Sequence, residues 1–357
     1  MARDRHTMNP YNLTKPLLFQ LSPETAHALA HEGMKLVDGT PIESALARAF
    51  KVDDDRLSMS AFGCEFPNPI GVAAGFDKTA EAPGTLGALG FGHVEVGGVT
   101  AEPQEGNPRP RVFRLVEDEA IINRMGLNNP GAKVIGERLD NTDVSMPVGV
   151  NLAKTEDVPM DEAAADYRET YEQVAEGGDF FVINVSCPNS PGFRELQNRE
   201  SLEDIFSTVK NAGAAPLLVK LSPDLPEPAV EETLELVEEY DLDGVIATNT
   251  TTDRPEALTS PDRVEEGGLS GRPIEEQATE MVRFVASRTD VPVVGVGGVF
   301  TAADAYRKIR AGASLVQIYT GFIYRGPTIA RNVNRGLATL LERDGFDSVE
   351  DAVGADL

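Results

Sequence analysis

Eight short apolar runs, rich in β-branched residues, recur along the chain. They cover residues 70–74, 94–99, 148–152, 181–185, 217–221, 244–248, 293–296 and 315–319. A continuous apolar run of this length is typical of a strand that is buried on both faces of a parallel sheet. The pattern therefore predicts eight buried parallel strands.

Apolar residues at helical spacing occupy several of the intervals between the runs, and they predict helices over residues 161–176, 227–240, 273–288 and 301–311. Strands that alternate with helices form parallel sheets. Eight such units predict an α/β fold, a closed (β/α)₈ TIM barrel, over residues 56–345. The alternative is an open doubly wound sheet. No GxGxxG sequence follows the first run, which weakens a dinucleotide-binding version of that alternative.

Segments at both ends and one insertion lie outside the eightfold pattern. Residues 1–55 contain two helix starts, at Ser22-Pro23-Glu24 and at Thr40-Pro41, and predict an amphipathic hairpin of two helices. The apolar faces of this hairpin either pack on the barrel or form a mouth for an apolar ligand and a shallow membrane contact. Residues 103–129 are long enough for short strands of their own, and residues 346–357 form an acidic C-terminal tail.

The charge of the chain excludes one class of partner. The sequence has 58 acidic and 32 basic residues, a formal net charge of −26. A nucleic acid would be repelled by this mean field. The acidic residues are spread along the whole chain, which favours a halophilic protein whose carboxylate surface stays hydrated in concentrated salt.

Few residues are available for disulfides, metals or membrane spans. Cys64 and Cys187 are the two cysteines and form no framework, so we expect a reducing interior. Four histidines show no metal-ligating cluster, and we predict no metal site. No run approaches the about 18 apolar residues of a spanning helix, and the polar first 16 residues do not read as a secretory signal.

Polar residues and glycines follow the apolar runs. Because the carboxyl ends of barrel strands share one rim, we expect these residues to meet there. In chain order they are Ala74, Gly75, Asp77, Lys78, Gly97, Gly98, Asn151, Asn184, Cys187, Asn189, Lys220, Thr248, Asn249, Thr250, Gly297, Gly298, Tyr319, Thr320 and Gly321.

Two lysines and one cysteine stand out on this rim. Lys78 and Lys220 adjoin apolar runs, where an ammonium group is costly unless it meets an anion or an electron-rich ring. The alternative for Lys220 is an outward-pointing side chain or an ion pair with Asp224. Cys187 is the obvious candidate for removing a proton, the alternative being a small buried thiol beside a turn. Glycines after the last two runs favour a phosphate site.

Seven segments together carry a family resemblance. They read NPIGVAAGFDK, GFGHVEVGGVT, NRMGLNNPG, NVSCPNSPG, GVIATNTTTDR, GGLSGRP and ASLVQIYTGF. The chain resembles the dihydroorotate dehydrogenases, in particular the membrane-associated, quinone-using class 2. The resemblance implies an FMN-bearing barrel that oxidises (S)-dihydroorotate to orotate, the redox step of de novo pyrimidine (UMP) biosynthesis.

The resemblance also implies the roles of individual residues. Cys187 is the base that takes a proton from C5 of the substrate while the C6 hydride passes to FMN, and Lys220 stabilises negative charge on the reduced cofactor. FMN is expected to contact Ala74, Gly75, Phe76, Asp77, Lys78, Gly98, Asn151, Asn184, Lys220, Thr248, Gly271, Gly298, Tyr319 and Thr320. The substrate is expected to contact Lys78, Asn123, Arg124, Met125, Gly126, Leu127, Asn184, Asn189, Asn249 and Thr250.

Two positions depart from the class 2 pattern, and one segment supports it. Cys187 stands where class 2 usually has Ser, as in the soluble class 1 enzymes, and Gly98 stands where class 2 usually has Thr. The N-terminal LFQLSPETAHALA segment is a class 2 hallmark. It implies a quinone as electron acceptor and a peripheral contact with the cytoplasmic side of the cell membrane. A monomer is the favoured state.

Other functions remain open at this point. The same oxidation with fumarate or NAD as acceptor is one, and a flavin-free aldolase with Lys220 as Schiff-base nucleophile is another. A flavoprotein that reduces pyrimidines, or uridine in RNA, is a further possibility. The net charge disfavours RNA as its substrate. A non-catalytic barrel would place Lys78, Cys187 and Lys220 on one rim by accident.

Replacing Cys187 with Ala tests the base assignment. A thiol has a pKa of about 8.5 and is a far stronger acid than a serine hydroxyl, so activity should rise with pH until the thiolate forms. The Cys187→Ala protein should bind FMN normally and reduce it with dihydroorotate at least about 10²-fold more slowly, the usual size of a general-base effect. Anaerobic stopped-flow absorbance measures that rate, and near-normal reduction would reject the assignment.

Overall fold

The computed structural model of the chain describes residues 11–186 and 195–357. Thirteen strands are present in this part of the chain. They are β1 (Met59–Ala61), β2 (Cys64–Phe66), β3 (Ile70–Val72), β4 (His93–Val99), β5 (Val112–Leu115), β6 (Ala120–Asn123), β7 (Val148–Leu152), β8 (Phe180–Asn184), β9 (Leu217–Leu221), β10 (Gly244–Ala247), β11 (Gly268–Gly271), β12 (Val293–Val296) and β13 (Ala313–Ile318).

Thirteen α-helices accompany these strands in the same part of the chain. They are α1 (Tyr11–Leu18), α2 (Pro23–Val37), α3 (Pro41–Phe50), α4 (Pro83–Ala88), α5 (Ala132–Leu139), α6 (Ala163–Val174), α7 (Arg199–Asn211), α8 (Glu227–Glu239), α9 (Glu275–Ala286), α10 (Ala302–Arg310), α11 (Thr320–Arg325), α12 (Ile329–Asp344) and α13 (Val349–Ala352). The four helices predicted from apolar spacing correspond to α6, α8, α9 and α10. Thr301 caps α10 in a capping box with Asp304.

Eight parallel strands close into a barrel in the order β3, β4, β7, β8, β9, β10, β12 and β13, with β13 paired back onto β3. These strands are the eight apolar runs, so the predicted (β/α)₈ barrel is confirmed. The match arises because side chains on both faces of such a strand are buried, which leaves a continuous apolar run in the sequence. The barrel strands and the inner faces of the surrounding helices share one hydrophobic core.

A small antiparallel sheet of β5, β6 and β11 lies beside the barrel mouth. β5 and β6 lie within residues 103–129, where short strands were expected, whereas β11 was not predicted. β11 is half glycine, and it pairs with β6 from a distant part of the sequence, through Gly268 opposite Asn123. The Tyr324 hydroxyl of α11 donates to the carbonyls of Leu115 and Ala120 and ties the sheet to the barrel.

The N-terminal extension has three helices among its described residues, and the prediction of two was therefore incomplete. α2 and α3 begin where the cap-proline-acid pattern placed them, and the Ser22 hydroxyl accepts from the Thr25 amide at 3.2 Å. α1 was missed because its eight residues include Pro16, which reads as a helix breaker. The Tyr11 hydroxyl of α1 donates to the Ile323 carbonyl at 2.7 Å and holds the helix on the barrel.

The last residues of the chain pack on the barrel. α13 begins in a capping box of Ser348 and Asp351, and its Val349 and Ala352 are fully buried. The amides of Gly354 and Asp356 donate to carbonyls at the end of α10. Across residues 11–186 and 195–357, every helix is too short or too polar to cross a bilayer.

Candidate active site

A cavity of about 160 Å³ opens at the carboxyl ends of the barrel strands. It is roofed by the small sheet, which contributes Asn123 from β6 and Ser270 and Gly271 from β11. The predicted residues that line it are Ala74, Gly75, Lys78, Gly98, Asn123, Met125, Gly126, Leu127, Asn151, Asn184, Lys220, Thr248, Asn249, Thr250, Gly271, Gly298, Tyr319 and Thr320.

Lys220 forms a buried ion pair on the cavity floor. Its Nζ lies 3.3 Å from Oε1 and 3.4 Å from Oε2 of Glu95, which points inward from β4. The side chains of Lys220 and Glu95 are 5% and 0% exposed, so water does not solvate them and each group is stabilised by the other. Removing one partner of such a buried pair typically costs about 3–5 kcal/mol because the other charge stays uncompensated. The pair therefore holds the Lys220 side chain at the cavity floor.

The alternative pairing of Lys220 with Asp224 is not what the structure shows. Asp224 accepts hydrogen bonds from both the amide and the hydroxyl of Thr252 at 2.7 Å, and from the Thr251 hydroxyl. It therefore closes the turn after β10. Glu95 was missed in the sequence reading, although a lone carboxylate within the apolar segment HVEVGGV was a visible signal.

Three asparagine amides extend from this ion pair around the rim. Asn151 donates to Glu95 Oε1 at 2.6 Å, and Asn184 donates to Asn151 Oδ1 at 2.9 Å. Asn249 donates to the Ser186 hydroxyl at 3.0 Å. The chain of contacts fixes the orientation of each amide, so the floor presents donors and acceptors in a set pattern. Such a surface suits a flat ring with carbonyl and N–H groups.

Lys78 follows β3, which lies across the barrel from β9, the strand that carries Lys220. Its Nζ donates to the Gly75 carbonyl at 2.5 Å, and no carboxylate among the described residues lies within ion-pair distance of it. Burial lowers the pKa of Lys78 to about 8, and the charge of Arg111 acts in the same direction. The charges of Asp77 and Glu24 act in the opposite direction. Lys78 is therefore a cation without a direct ion pair among the described residues, which suits an anionic ligand.

Gln317 is a lining residue that the sequence reading missed. It lies on β13, is 1% exposed, and neither its amide oxygen nor its amide nitrogen has a hydrogen-bond partner among the described residues. A buried amide without partners is costly, so this side chain is set up to bind a polar group in the cavity. The signal for Gln317 in the sequence was a lone amide within the otherwise apolar run LVQIY. Ser270, which shares a hydrogen bond of 2.8 Å with Thr320, was also missed.

Three predicted site residues lie away from this cavity. The Phe76 ring stacks on Phe322 at 4.7 Å between centroids, and Asp77 is buried behind the rim against His31. Arg124 pairs with Glu265 at 2.9 Å, so its guanidinium points outward. Predicted residues Cys187 and Asn189 lie outside the described residues.

A second and larger cavity, of about 510 Å³, lies between α1, α2 and the barrel. Its wall is largely apolar and aromatic, with Phe19, Phe76 and Phe322 among its residues. The two cavities share four lining residues, and these mark where the cavities meet: Lys78, Asn123, Met125 and Tyr319.

Comparison with known proteins identifies the family. The family model described as dihydroorotate dehydrogenase matches residues 56–341. The chain belongs to the dihydroorotate dehydrogenase family. A relative from Haloarcula marismortui, named dihydroorotate dehydrogenase (quinone), is 69% identical over 350 residues, which are 98% of this chain and 100% of the relative. A relative of the same name from Natronomonas pharaonis is 63% identical over the same shares of both chains.

A solved dihydroorotate dehydrogenase has the same fold. The crystal structure of the Eimeria tenella protein in complex with ferulenol superposes with a TM-score of 0.86 at 36% sequence identity, covering 95% of this chain and 98% of that one. The family resemblance read from the seven segments, including its quinone-using class, is thereby confirmed. Both archaeal relatives come from halophiles, in agreement with the halophilic character expected from the acidic composition.

Proposed function

We propose that this protein oxidises dihydroorotate to orotate with FMN as its cofactor and passes the electrons to a quinone. The observation that carries the proposal is the meeting of two unlike cavities in one member of this family. The first is lined by amides and two lysines, and the second is apolar and lies under the N-terminal helices. A polar anion and a lipophilic acceptor thus have separate sites that adjoin at Lys78 and Tyr319.

The residues of the first cavity fit FMN. The unpartnered amide of Gln317, the fixed amides of Asn151 and Asn184, and the Lys220 ammonium suit the carbonyl and N–H edge of a flavin ring. The backbone of Gly297, Gly298, Tyr319 and Thr320 lies at the end of the cavity where parallel barrels bind phosphate. When bound, FMN supplies the acceptor for a hydride.

The rest of the first cavity suits dihydroorotate, a flat ring that carries a carboxylate. Lys78 offers the positive charge for the carboxylate, and Asn123, Asn184 and Asn249 offer amides for the ring carbonyl and N–H groups. Ser186 is buried at the end of β8 and shares hydrogen bonds with Asn249. The chain continues from there to Cys187, whose role as the base stays a prediction.

The second cavity suits a quinone. Its apolar lining favours a lipophilic ring and tail, and its junction with the first cavity at Tyr319 allows electron transfer over a short distance. The Tyr319 ring lies 5.8 Å from that of Phe76, and burial raises the pKa of Tyr319 to about 12, so the phenol stays protonated. Fumarate or NAD would gain little from these apolar walls, which is why a quinone is the better acceptor.

The N-terminal helices carry an apolar outer surface. Large exposed hydrophobic side chains are concentrated there: Leu13, Leu17, Leu21, Leu29, Leu36 and Ile42. Isolated exposed leucines are ordinary, but a cluster of this kind on amphipathic helices is typical of interfacial membrane contact. It supports a peripheral association with the cytoplasmic side of the cell membrane, through which a quinone reaches the second cavity.

Binding of orotate should weaken as pH rises through about 8. The lowered pKa of Lys78 means that its positive charge is complete below that value and lost above it. Lys78→Met should weaken binding about 10- to 100-fold, as expected for losing a hydrogen bond to a charged group, and should remove this pH dependence. The measurement is the orotate dissociation constant from flavin absorbance. Lys51→Met, an exposed surface lysine, is the control, and equal pH dependence in Lys78→Met would contradict the assignment.

The acceptor assignment is tested by following flavin reoxidation in the full chain. After anaerobic reduction with dihydroorotate, we expect menadione to restore the oxidised spectrum much faster than fumarate or NAD. Ala26→Phe fills part of the second cavity and should slow this step about 10-fold or more, equivalent to about 1.4 kcal/mol, because the added ring takes space that the quinone needs. Ala45→Phe on the exposed side of α3 is the matched control. Faster reoxidation by fumarate or NAD would reject the quinone assignment.

A further inference from the structure

A histidine and an aspartate form a buried pair in the wall of the second cavity. His31 of α2 is 9% exposed, and its Nε2 lies 3.1 Å from Oδ1 of Asp77, which is fully buried. Asp77 is also fixed by the backbone, because it accepts from the amides of Thr79 at 3.1 Å and Ala82 at 3.0 Å. The pair bridges the N-terminal extension and the barrel, and the proposed oxidation of dihydroorotate in the first cavity does not involve it.

His31 differs from the other histidines in the described part of the chain. His27, one turn earlier on α2, lines the same cavity, but burial together with the charge of Lys78 lowers its pKa to about 3. His93 is fully buried inside the barrel, and burial lowers its pKa to about 3 as well. Within the described residues, His31 alone has a carboxylate partner.

The charges around His31 come from two elements. The segment after β3 brings Asp77, Lys78 and Glu81, and α2 itself brings His27 at 6.0 Å between ring centroids. The hydrogen bond with Asp77 is the largest influence and raises the pKa of His31 above its usual 6.5, against the opposing effects of burial and Lys78. Lys35 and Arg138 pair with Glu81 at 2.7 and 3.2 Å and so partly offset its negative charge near His31. The imidazolium form therefore persists to higher pH than in an unperturbed histidine.

A quinone in the second cavity would need a proton donor when it is reduced. Reduction of a quinone to a quinol takes up two electrons and two protons. Two electrons and one proton arrive as the hydride equivalent that dihydroorotate gave up at C6. The C5 proton is left in the first cavity, so the second proton of the quinol has to come from the protein or solvent.

We infer that His31 is the proton donor to the quinone in the second cavity, with Asp77 as the residue that positions and charges it. The inference rests on the proposed quinone site. In this step the N–H bond of the His31 imidazolium breaks, an O–H bond forms on the quinone oxygen, and the neutral imidazole regains a proton from solvent.

The oxidative half-reaction tests the inference directly. Enzyme reduced anaerobically with dihydroorotate is mixed with menadione across a range of pH. In the native chain the reoxidation rate should fall as pH rises through the pKa of His31. In His31→Ala and His31→Gln the rate should be about 10²-fold lower or more, as for loss of a general acid, and this pH dependence should disappear. Added imidazole should partly restore the rate of His31→Ala.

A matched histidine variant controls for general effects. His93→Leu removes a buried imidazole that has no hydrogen-bond partner in the described chain and lines neither cavity, so its pH dependence should match the native chain. Flavin reduction by dihydroorotate, measured in the same samples, reports whether the first cavity is intact. A His31 variant with native rate and pH dependence would overturn the inference. A native chain whose reduced flavin menadione fails to oxidise would instead overturn the quinone site itself.

A second readout is independent of turnover. NMR titration of the imidazole C–H signals in the resting protein should give His31 a pKa above 6.5, and Asp77→Asn should move that titration to lower pH. A His31 that titrates at or below 6.5, or that is unaffected by Asp77→Asn, would contradict the inferred charge state and the positioning role of Asp77.

Discussion

A closed barrel of parallel strands admits a charged side chain to its interior only where an opposite charge meets it. Lys220 and Glu95 satisfy this condition on the cavity floor, 3.3 Å apart and almost wholly buried. The carboxylate also fixes Asn151, and through it Asn184, so one ion pair orients most of the polar floor. A flavin ring placed there would find its polar contacts already arranged, which is how electrostatic stabilisation acts without reorganisation.

The meeting of the two cavities follows from the same architecture. The carboxyl ends of the strands form the first cavity, and the N-terminal extension covers one side of that mouth to create the second. Lys78 and Tyr319 belong to both walls. The segment after β3 therefore faces two ways: Lys78 lines both cavities, while Asp77 turns toward His31. This alternation between two adjacent residues couples the barrel to the helices above it.

The features that could be predicted from sequence are those in which burial leaves an apolar pattern in consecutive residues. All eight barrel strands belong to this class, and the starts of α2, α3 and α10 were predictable from their local capping residues. Contacts between distant residues could not be read in the same way. Glu95 and Lys220 are 125 positions apart, and β11 pairs with β6 across a similar separation. Phe76 was assigned to the cofactor through the family resemblance, but its side chain lines the second cavity, a direction that the sequence does not give.

The claim on which this account depends is that the strand-end cavity holds a flavin. Titration of FMN into flavin-free protein, followed by quenching of flavin fluorescence at the salt concentration that keeps the protein folded, tests it most directly. The account predicts saturable one-to-one binding that leaves the protein yellow after gel filtration. A folded protein that stays colourless and leaves the fluorescence of FMN unchanged would contradict it.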